Sequence, residues 1–126
     1  MTALDASALP ALIHEEPGAD LVAGAMTGSV IGTPNLAEVV GKLVEADIDA
    51  SGIRQLVVAA GVTIEPLTAD DAELAGALRA ITGGKRLSLG DRCCLALAIR
   101  SSPPIVMTAD RAWASLDLPI EVRAIR

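Results

Sequence analysis

The sequence predicts an α/β domain in which a parallel sheet is covered by helices on both faces. Short β-like runs alternate with amphipathic helical stretches along the whole chain, an order typical of parallel strands joined by crossover helices. A length of 126 residues is enough for one core and too short for two. No linker, repeat or low-complexity segment is visible, so we expect residues 1–126 to form a single domain.

The individual elements follow from apolar periodicity and from the residues that interrupt it. Short apolar runs bounded by turn residues predict strands at 2–5, 29–33, 62–66, 105–108 and 120–125. Helical spacing of apolar residues predicts helices at about 7–14, 18–27, 35–46, 50–60, 69–81 and 89–100, and a short one at 110–115. Gly83 and Gly84 break the chain after the fifth helix, and Pro103 and Pro104 separate the sixth helix from the fourth strand.

Two acidic residues fall where a site is expected in such a sheet. Ligands bind beyond the carboxyl ends of parallel strands, at the point where the strand order reverses. Asp5 ends the first predicted strand, and Asp110 comes just after the fourth. This arrangement predicts a carboxylate site at that edge of the sheet.

Composition narrows the chemistry that such a site can perform. The two cysteines are adjacent and the one histidine, His14, lies beside Glu15, Glu16 and Pro17 at a predicted helix end. A zinc triad therefore cannot be assembled, and a Ser-His-Asp arrangement is not expected. Without Tyr or Phe, and with a single Trp, a tyrosine acid or an aromatic stacking platform is excluded or nearly so. Hard oxygen ligands remain, and these select Mg²⁺ or Mn²⁺. The net charge of −6 argues against a broad basic nucleic-acid surface, but a carboxylate site that binds cations is compatible with it.

The chain has the features of a cytoplasmic protein. Cys93 and Cys94 are neighbours in a predicted helix and are badly placed to bridge each other, so we expect free buried thiols in a reducing compartment. No signal peptide is visible at the N-terminus, and no apolar stretch reaches the roughly 20 residues that span a bilayer.

Four of the 16 acidic residues stand out, and each has a plain structural alternative. Asp5 lies among small and apolar residues between a strand and a helix, where it could simply be a helix N-cap. Glu38 follows Asn35 by three residues, which is the spacing of a capping box, and it falls opposite the apolar arc of its helix. From the residues alone, a capping role explains Glu38 at least as well as a ligand role.

The other two candidates are Asp91 and Asp110. Asp91 follows Ser88 in another capping-box pattern, and residues 68–71 show the same pattern with no obvious chemistry. However, Asp91 shares an apolar helical stripe with Cys94, where a carboxylate is costly unless it is paired or bound to a metal. Asp110 could cap the short helix that follows it or belong to a site.

Four ordered segments resemble the motif set of PIN domains, and most of all that of VapC-type toxins. They are residues 4–9 (LDASAL), 35–39 (NLAEV), 87–98 (LSLGDRCCLALA) and 108–113 (TADRAW). Each segment is a weak motif by itself. Together they cover the length of the chain in the order of the family.

This resemblance implies a three-layer α/β/α PIN-like fold with a central parallel sheet of four to five strands. It also implies a Mg²⁺- or Mn²⁺-dependent endoribonuclease that is the toxin of a toxin–antitoxin pair, with a homodimer bound by a cognate antitoxin. The acids of the family fall on Asp5, Glu38, Asp91 and Asp110, and its hydroxyl residue beside the last acid falls on Thr108. On this hypothesis the three aspartates bind the cations, Glu38 holds or helps deprotonate the attacking water, and Thr108 orients a carboxylate.

Basic residues flank the four acids in sequence and form a candidate rim for RNA phosphates, although ordinary surface charge explains them as well. They are Lys85, Arg86, Arg92 and Arg111. The stretches 7–27 and 50–60 also carry apolar residues that either pack in the core or form a groove for an antitoxin helix. These residues are Leu9, Leu12, Leu21, Val22, Met26, Ile53, Leu56 and Val57.

Two other interpretations compete with the nuclease. A non-catalytic PIN-like interaction module would bind partners without metal-dependent cleavage. The second alternative is a flavodoxin-like or phosphatase-type α/β domain. An Asp-x-Asp phosphatase needs an acid at the position of Ser7, and no GxGxxG or P-loop pattern is present to bind a nucleotide.

Overall fold

A single parallel sheet of five strands forms the centre of the molecule. The computed structural model describes residues 1–126, and the strand order is β3-β2-β1-β4-β5 with every neighbouring pair parallel. The strands are β1 (Thr2–Leu4), β2 (Val30–Gly32), β3 (Thr63–Glu65), β4 (Ile105–Thr108) and β5 (Glu121–Ala124). The predicted α/β class and the five predicted strands are therefore confirmed.

Six α-helices connect these strands. They are α1 (Ala8–Ile13), α2 (Ala19–Ala25), α3 (Thr33–Glu45), α4 (Ile53–Ala59), α5 (Ala69–Ala77) and α6 (Leu89–Arg100). Short 3-10 helices cover Leu78–Ala80, Gly84–Arg86 and Arg111–Ser115. The helix predicted at 69–81 therefore ends as a 3-10 turn, and α3 begins two residues earlier than predicted, because Pro34 fits the first turn of a helix.

The helices pack on both faces of the sheet because successive strand residues point to opposite sides. On one face, Leu4, Ile31 and Met107 pack with α1, α2, α3 and α4 in one apolar cluster. On the other face, Ala3, Val30 and Val106 pack with α6 and Trp113 in a second cluster. This is the three-layer arrangement that the resemblance implied.

The strand order places the topological switch point between β1 and β4. From β1 the chain moves outward through β2 and β3, and it then returns to add β4 and β5 on the other side of β1. The carboxyl ends of β1 and β4 lie side by side, with Leu4 paired to Met107. Residues that follow these two strands therefore meet at one place, as the sequence predicted for Asp5 and Asp110.

The apolar residues predicted as core or groove divide between the two roles. Four are buried, namely Leu9, Val22, Met26 and Val57, and Leu12 and Ile53 are partly buried against them. Leu21 and Leu56 remain 56% and 66% exposed. Cys93 and Cys94 are free and buried, as predicted. None of the helices has the length and apolar character needed to cross a bilayer.

Candidate active site

All four candidate acids border one pocket at the switch point. The pocket has a volume of about 290 Å³, and it is lined by Asp5, Ala6, Ser7, Glu38, Lys42, Asp91, Ala109, Asp110 and Trp113. Four separate segments contribute the acids: the turns after β1 and β4, the helix α3, and the first turn of α6. A larger groove of about 740 Å³ between α2 and the sheet contains none of these acids. The chemistry is therefore concentrated in the smaller pocket.

Asp5 is the buried member of the group. Its side chain is 5% exposed, and burial raises its pKa above the ordinary value, although hydrogen bonds from Ser7 and Thr108 partly offset this. The negative charge of Asp91 adds to the rise. No salt bridge within the protein compensates the charged form of Asp5.

Two hydroxyl groups fix the orientation of the Asp5 carboxylate. The hydroxyl of Ser7 donates to Oδ1 at 2.5 Å and accepts from the backbone amide of Ala109 at 2.9 Å. The hydroxyl of Thr108 donates to Oδ2 at 2.5 Å and accepts from the amide of Asp110 at 3.0 Å. Because each hydroxyl accepts from an amide, its proton is directed to Asp5. The sequence predicted that Thr108 orients a carboxylate, and in the structure its hydroxyl contacts the carboxylate of Asp5.

The other three acids each keep one carboxylate oxygen without a protein donor. Asp91 accepts from the amide of Ser88 through Oδ2 at 3.0 Å, and Asp110 accepts from the amide of Ala112 through Oδ1 at 2.9 Å. Glu38 accepts through Oε1 and leaves Oε2 unbonded. One oxygen anchors each side chain, and the second is available to a ligand.

The capping interpretation has a different outcome at Asp91 and Asp110 than at Glu38. Asp91 and Asp110 do cap their helices, but each cap uses only one oxygen, so both roles are compatible. The capping-box interpretation of Asn35 and Glu38 is wrong. Helix α3 begins at Thr33, so Asn35 lies inside the first turn and is buried instead of standing at the N-cap.

The donor set of the pocket fits a divalent cation that keeps part of its hydration shell better than one that has lost all of its waters. No three of the His, Cys, Asp and Glu side chains lie close enough together to hold one ion. Mg²⁺ commonly keeps several of its waters and is bound through one or two carboxylates, which a pocket of this size permits. Oxygen-only donors suit Mg²⁺ or Mn²⁺, and a cation would compensate the negative charge of the buried Asp5 carboxylate.

The predicted basic rim needs a correction. Arg92 is 7% exposed, and its guanidinium donates to the carbonyl of Ala75 at 2.8 Å. Its assignment to the rim was wrong, because Arg92 lies on the buried face of helix α6. Lys85, Arg86 and Arg111 are exposed but do not line the pocket. The cation that does line it is Lys42, whose amino group lies 3.5 Å from the carbonyl of Ala6.

Sequence reasoning missed four residues of this site. Ser7 and Lys42 had a weak signal, because Ser7 follows Asp5 by two residues and Lys42 lies one helical turn after Glu38. Asn35 was assigned to a cap. Gly90 gave no signal, because its role depends on the approach of α3 to α6, where Asn35 and Gly90 are 55 residues apart in sequence.

Comparisons with known proteins agree with this fold. The family model of the PIN domain matches residues 2–118. The chain is similar to a toxin–antitoxin complex from Klebsiella pneumoniae, with 21% identity, a TM-score of 0.69, and coverage of 96% of this chain and 99% of that one. It is also similar to VapBC2 from Rickettsia felis bound to a DNA fragment from their promoter, with 15% identity, a TM-score of 0.68, and coverage of 98% and 97%. FitAcB from Neisseria gonorrhoeae gives 15% identity, a TM-score of 0.63, and coverage of 99% and 98%.

At these identities, the solved structures establish the fold alone. No curated protein matches the chain in sequence.

Proposed function

Because this chain belongs to the PIN domain family, we propose that it is a Mg²⁺- or Mn²⁺-dependent endoribonuclease and the toxin of a toxin–antitoxin pair. One observation carries the proposal. Four carboxylates from four segments face a single pocket at the switch point of the sheet, and three of them keep an unbonded oxygen. An oxygen-rich, negatively charged pocket is suited to a cation that in turn attracts a phosphodiester.

Each acid has a role that follows from its contacts. Asp5, Asp91 and Asp110 would hold the cation, no more than two of them directly and the rest through water, with Asp5 kept rigid by Ser7 and Thr108. A divalent cation held there would lower the pKa of a water and neutralise charge on the phosphate. Glu38 would accept the proton of the attacking water through Oε2. The water oxygen would bond to phosphorus as the bond from phosphorus to the 3′-oxygen breaks, and the leaving 3′-oxygen would take up a proton from solvent. The products would be a 5′-phosphate and a 3′-hydroxyl.

A cleavage assay tests this proposal directly. The purified protein is incubated with single-stranded RNA and with DNA of the same sequence, in Mg²⁺, in Mn²⁺ and in EDTA. We expect RNA cleavage that EDTA abolishes, and a loss of about 100-fold or more in Asp5→Asn. The matched control is Asp70→Asn, because Asp70 is exposed and outside the pocket. Cleavage that survives EDTA, or an Asp5→Asn variant as active as the control, contradicts the proposal.

We propose an antitoxin as the protein partner on the basis of the similar solved structures and of one apolar depression on the surface. The similar structures include a toxin–antitoxin complex. A depression of about 230 Å³ lies between α1, α3 and α4, where Ile13 and Leu56 are 40% and 66% exposed. Such a surface suits the apolar face of an antitoxin helix. The protein is also proposed to form a homodimer within this complex.

Co-purification tests the antitoxin proposal. The product of the adjacent reading frame is expressed with the toxin, and the mass of the complex is measured by light scattering. Leu56→Arg should weaken the complex at least tenfold, whereas Leu67→Arg, on a loop elsewhere, should not. Equal binding by both variants removes this surface from the proposal.

A non-catalytic interaction module remains the alternative function. It predicts that the protein binds its partner and shows no metal-dependent cleavage of either nucleic acid. The assay with Asp5→Asn therefore separates the two functions.

A further inference from the structure

A buried amide links helix α3 to helix α6 beside the pocket. Asn35 is 1% exposed, and its Nδ2 donates to Oε1 of Glu38 at 3.0 Å and to the carbonyl of Gly90 at 3.0 Å. Glu38 lies one turn further along α3, and Gly90 directly precedes Asp91 in α6. One amide group therefore contacts two of the segments that bear candidate acids.

The amide is retained at a cost to the fold. Oδ1 of Asn35 is buried without any hydrogen-bond partner. A buried unsatisfied acceptor is unfavourable, and in native proteins such groups need a reason. The Nδ2 group makes the only side-chain hydrogen bonds of Asn35, and both are directed to the neighbourhood of the pocket.

Gly90 provides the second, independent observation. A Cβ at this position would lie 2.5 Å from the carboxyl carbon of Glu38 and 2.8 Å from its Oε2. Real Cβ atoms do not approach other atoms so closely, so the carboxylate of Glu38 occupies space that only glycine leaves open. The carboxylate is thus held between the Asn35 amide and the bare Gly90 peptide.

We propose that Asn35 is a positioning residue for Glu38, which it holds by Oε1 in the space beside Gly90 while Oε2 stays free. This inference rests on the proposed function, because it concerns the acid assigned to the attacking water. A glutamate on an open helix face samples several rotamers, and fixing one of them places the free oxygen. Misplacement of a reacting group by about 1 Å can cost about 100-fold in rate.

The test combines kinetics with a double-mutant cycle. Asn35→Ala should lower kcat by about 10- to 100-fold with little change in KM. In a Glu38→Gln background, where the proton acceptor is already lost, the same substitution should cost less than about twofold. Val39→Ala is the matched control, since Val39 is a buried neighbour on α3. It should lower the melting temperature and leave kcat unchanged below that temperature.

Gly90→Ala tests the second contact of the Glu38 carboxylate, the one with Gly90, in the same double-mutant cycle. A Cβ there would displace the Glu38 carboxylate, so kcat should fall by about tenfold or more in the parent background and stay nearly unchanged with Glu38→Gln. Alanine also favours helix formation over glycine, so a lost helix cannot explain a loss of rate.

A structural readout keeps the inference separate from the proposed function. The rotamer of Glu38 is determined by crystallography or NMR in the parent and in Asn35→Ala. Displacement of the carboxylate from Gly90 supports the positioning role even if the parent proves inactive, which would refute only the nuclease. An unchanged rotamer, or an equal loss of rate with and without Glu38, overturns it.

Discussion

Two helices of this molecule begin with the same four-residue capping motif, but the acid of the motif has different partners in each. Thr68 and Asp71 form a capping box at the start of α5, and Ser88 and Asp91 form one at the start of α6. Asp71 is 4% exposed and receives two hydrogen bonds from Arg100, at 2.8 and 3.1 Å. Asp91 is half-buried, meets no cation of the protein, and borders the pocket.

The difference shows what distinguishes a structural carboxylate from a candidate ligand. The cap uses one oxygen in both motifs. At Asp71 a guanidinium binds the side chain as well, so no oxygen is left without a donor. At Asp91 one oxygen stays free. The local pattern is the same, and the partners brought by the tertiary fold decide the role.

The largest effect is expected at Asp91. Asp91→Asn keeps an oxygen that can cap the helix but removes a charge from the pocket, so RNA cleavage should fall by about 100- to 1000-fold, or about 3–4 kcal/mol of activation free energy. The melting temperature should change by no more than about 2 °C. Initial rates and thermal denaturation measure the two quantities. A large loss of stability with retained cleavage would reverse the assignment.

Asp71 should show the opposite pattern. Asp71→Asn removes the buried partner of an ion pair whose other partner, Arg100, is 39% exposed. The free energy of unfolding should fall by about 2 kcal/mol, a value discounted for the exposure of Arg100. Below its melting temperature the variant should cleave RNA at the parental rate. Urea denaturation measures the loss, and Arg100→Met should cost a similar amount. A strong loss of kcat in Asp71→Asn speaks against the comparison.

A pH series sharpens the contrast between the paired acid and the pocket. Burial alone would raise the pKa of Asp71, but hydrogen bonds from Arg100 and Thr68 outweigh it, so its pKa lies below the ordinary 3.8. Its contribution to stability is present above 3.8 and is lost as the pH falls through the lowered pKa. The stability gap between the parent and Asp71→Asn should therefore close in acid.

Asp5 should respond with the opposite sign in metal-free protein. Burial raises its pKa above 3.8, so its favourable contribution is present below 3.8 and is lost as the pH rises through the raised value. Metal-free Asp5→Asn should therefore be more stable than the parent at pH 7, and the gap should close toward pH 4. Denaturation in EDTA across this range measures it. A variant less stable than the parent at pH 7 would show that the hydroxyl contacts outweigh burial.

The smallest effects are expected at the two cap hydroxyls. Thr68→Ala and Ser88→Ala should each lower the free energy of unfolding by about 1 kcal/mol, because each removes one acceptor for a helix amide. Only Ser88→Ala should also lower cleavage, by a few fold, since it loosens Asp91. Equal activity in both variants would mean that the cap does not contribute to the position of Asp91.

The sequence predicted the fold well because its determinants are local. The period of apolar residues and the Gly and Pro breaks depend on near neighbours, and every predicted strand and helix is present within a few residues of its expected bounds. Two elements change type, because the last turn of the fifth helix and the short helix predicted at 110–115 are both 3-10 helices. A third 3-10 helix, at Gly84–Arg86, was not predicted.

The site was predictable only as far as its strand-end residues. Asp5 and Asp110 follow from the rule for parallel sheets. Glu38 was included through family resemblance, because its spacing from Asn35 favoured a capping box and its helical wheel could not distinguish a surface from a cleft. The burial of Arg92 and the contact between Asn35 and Gly90 depend on how α3, α5 and α6 pack together. Such contacts join residues far apart in sequence, and no local pattern records them.

Binding of Mn²⁺ to metal-free protein tests the central claim most directly. Electron paramagnetic resonance can follow the free ion during a titration of the parent, Asp5→Asn, Asp91→Asn and Asp71→Asn. We predict that the parent binds Mn²⁺, that Mg²⁺ competes for it, and that the two pocket variants lose at least tenfold in affinity while Asp71→Asn binds like the parent. A parent that leaves Mn²⁺ free, or four proteins with the same affinity, would contradict a metal site built from these carboxylates.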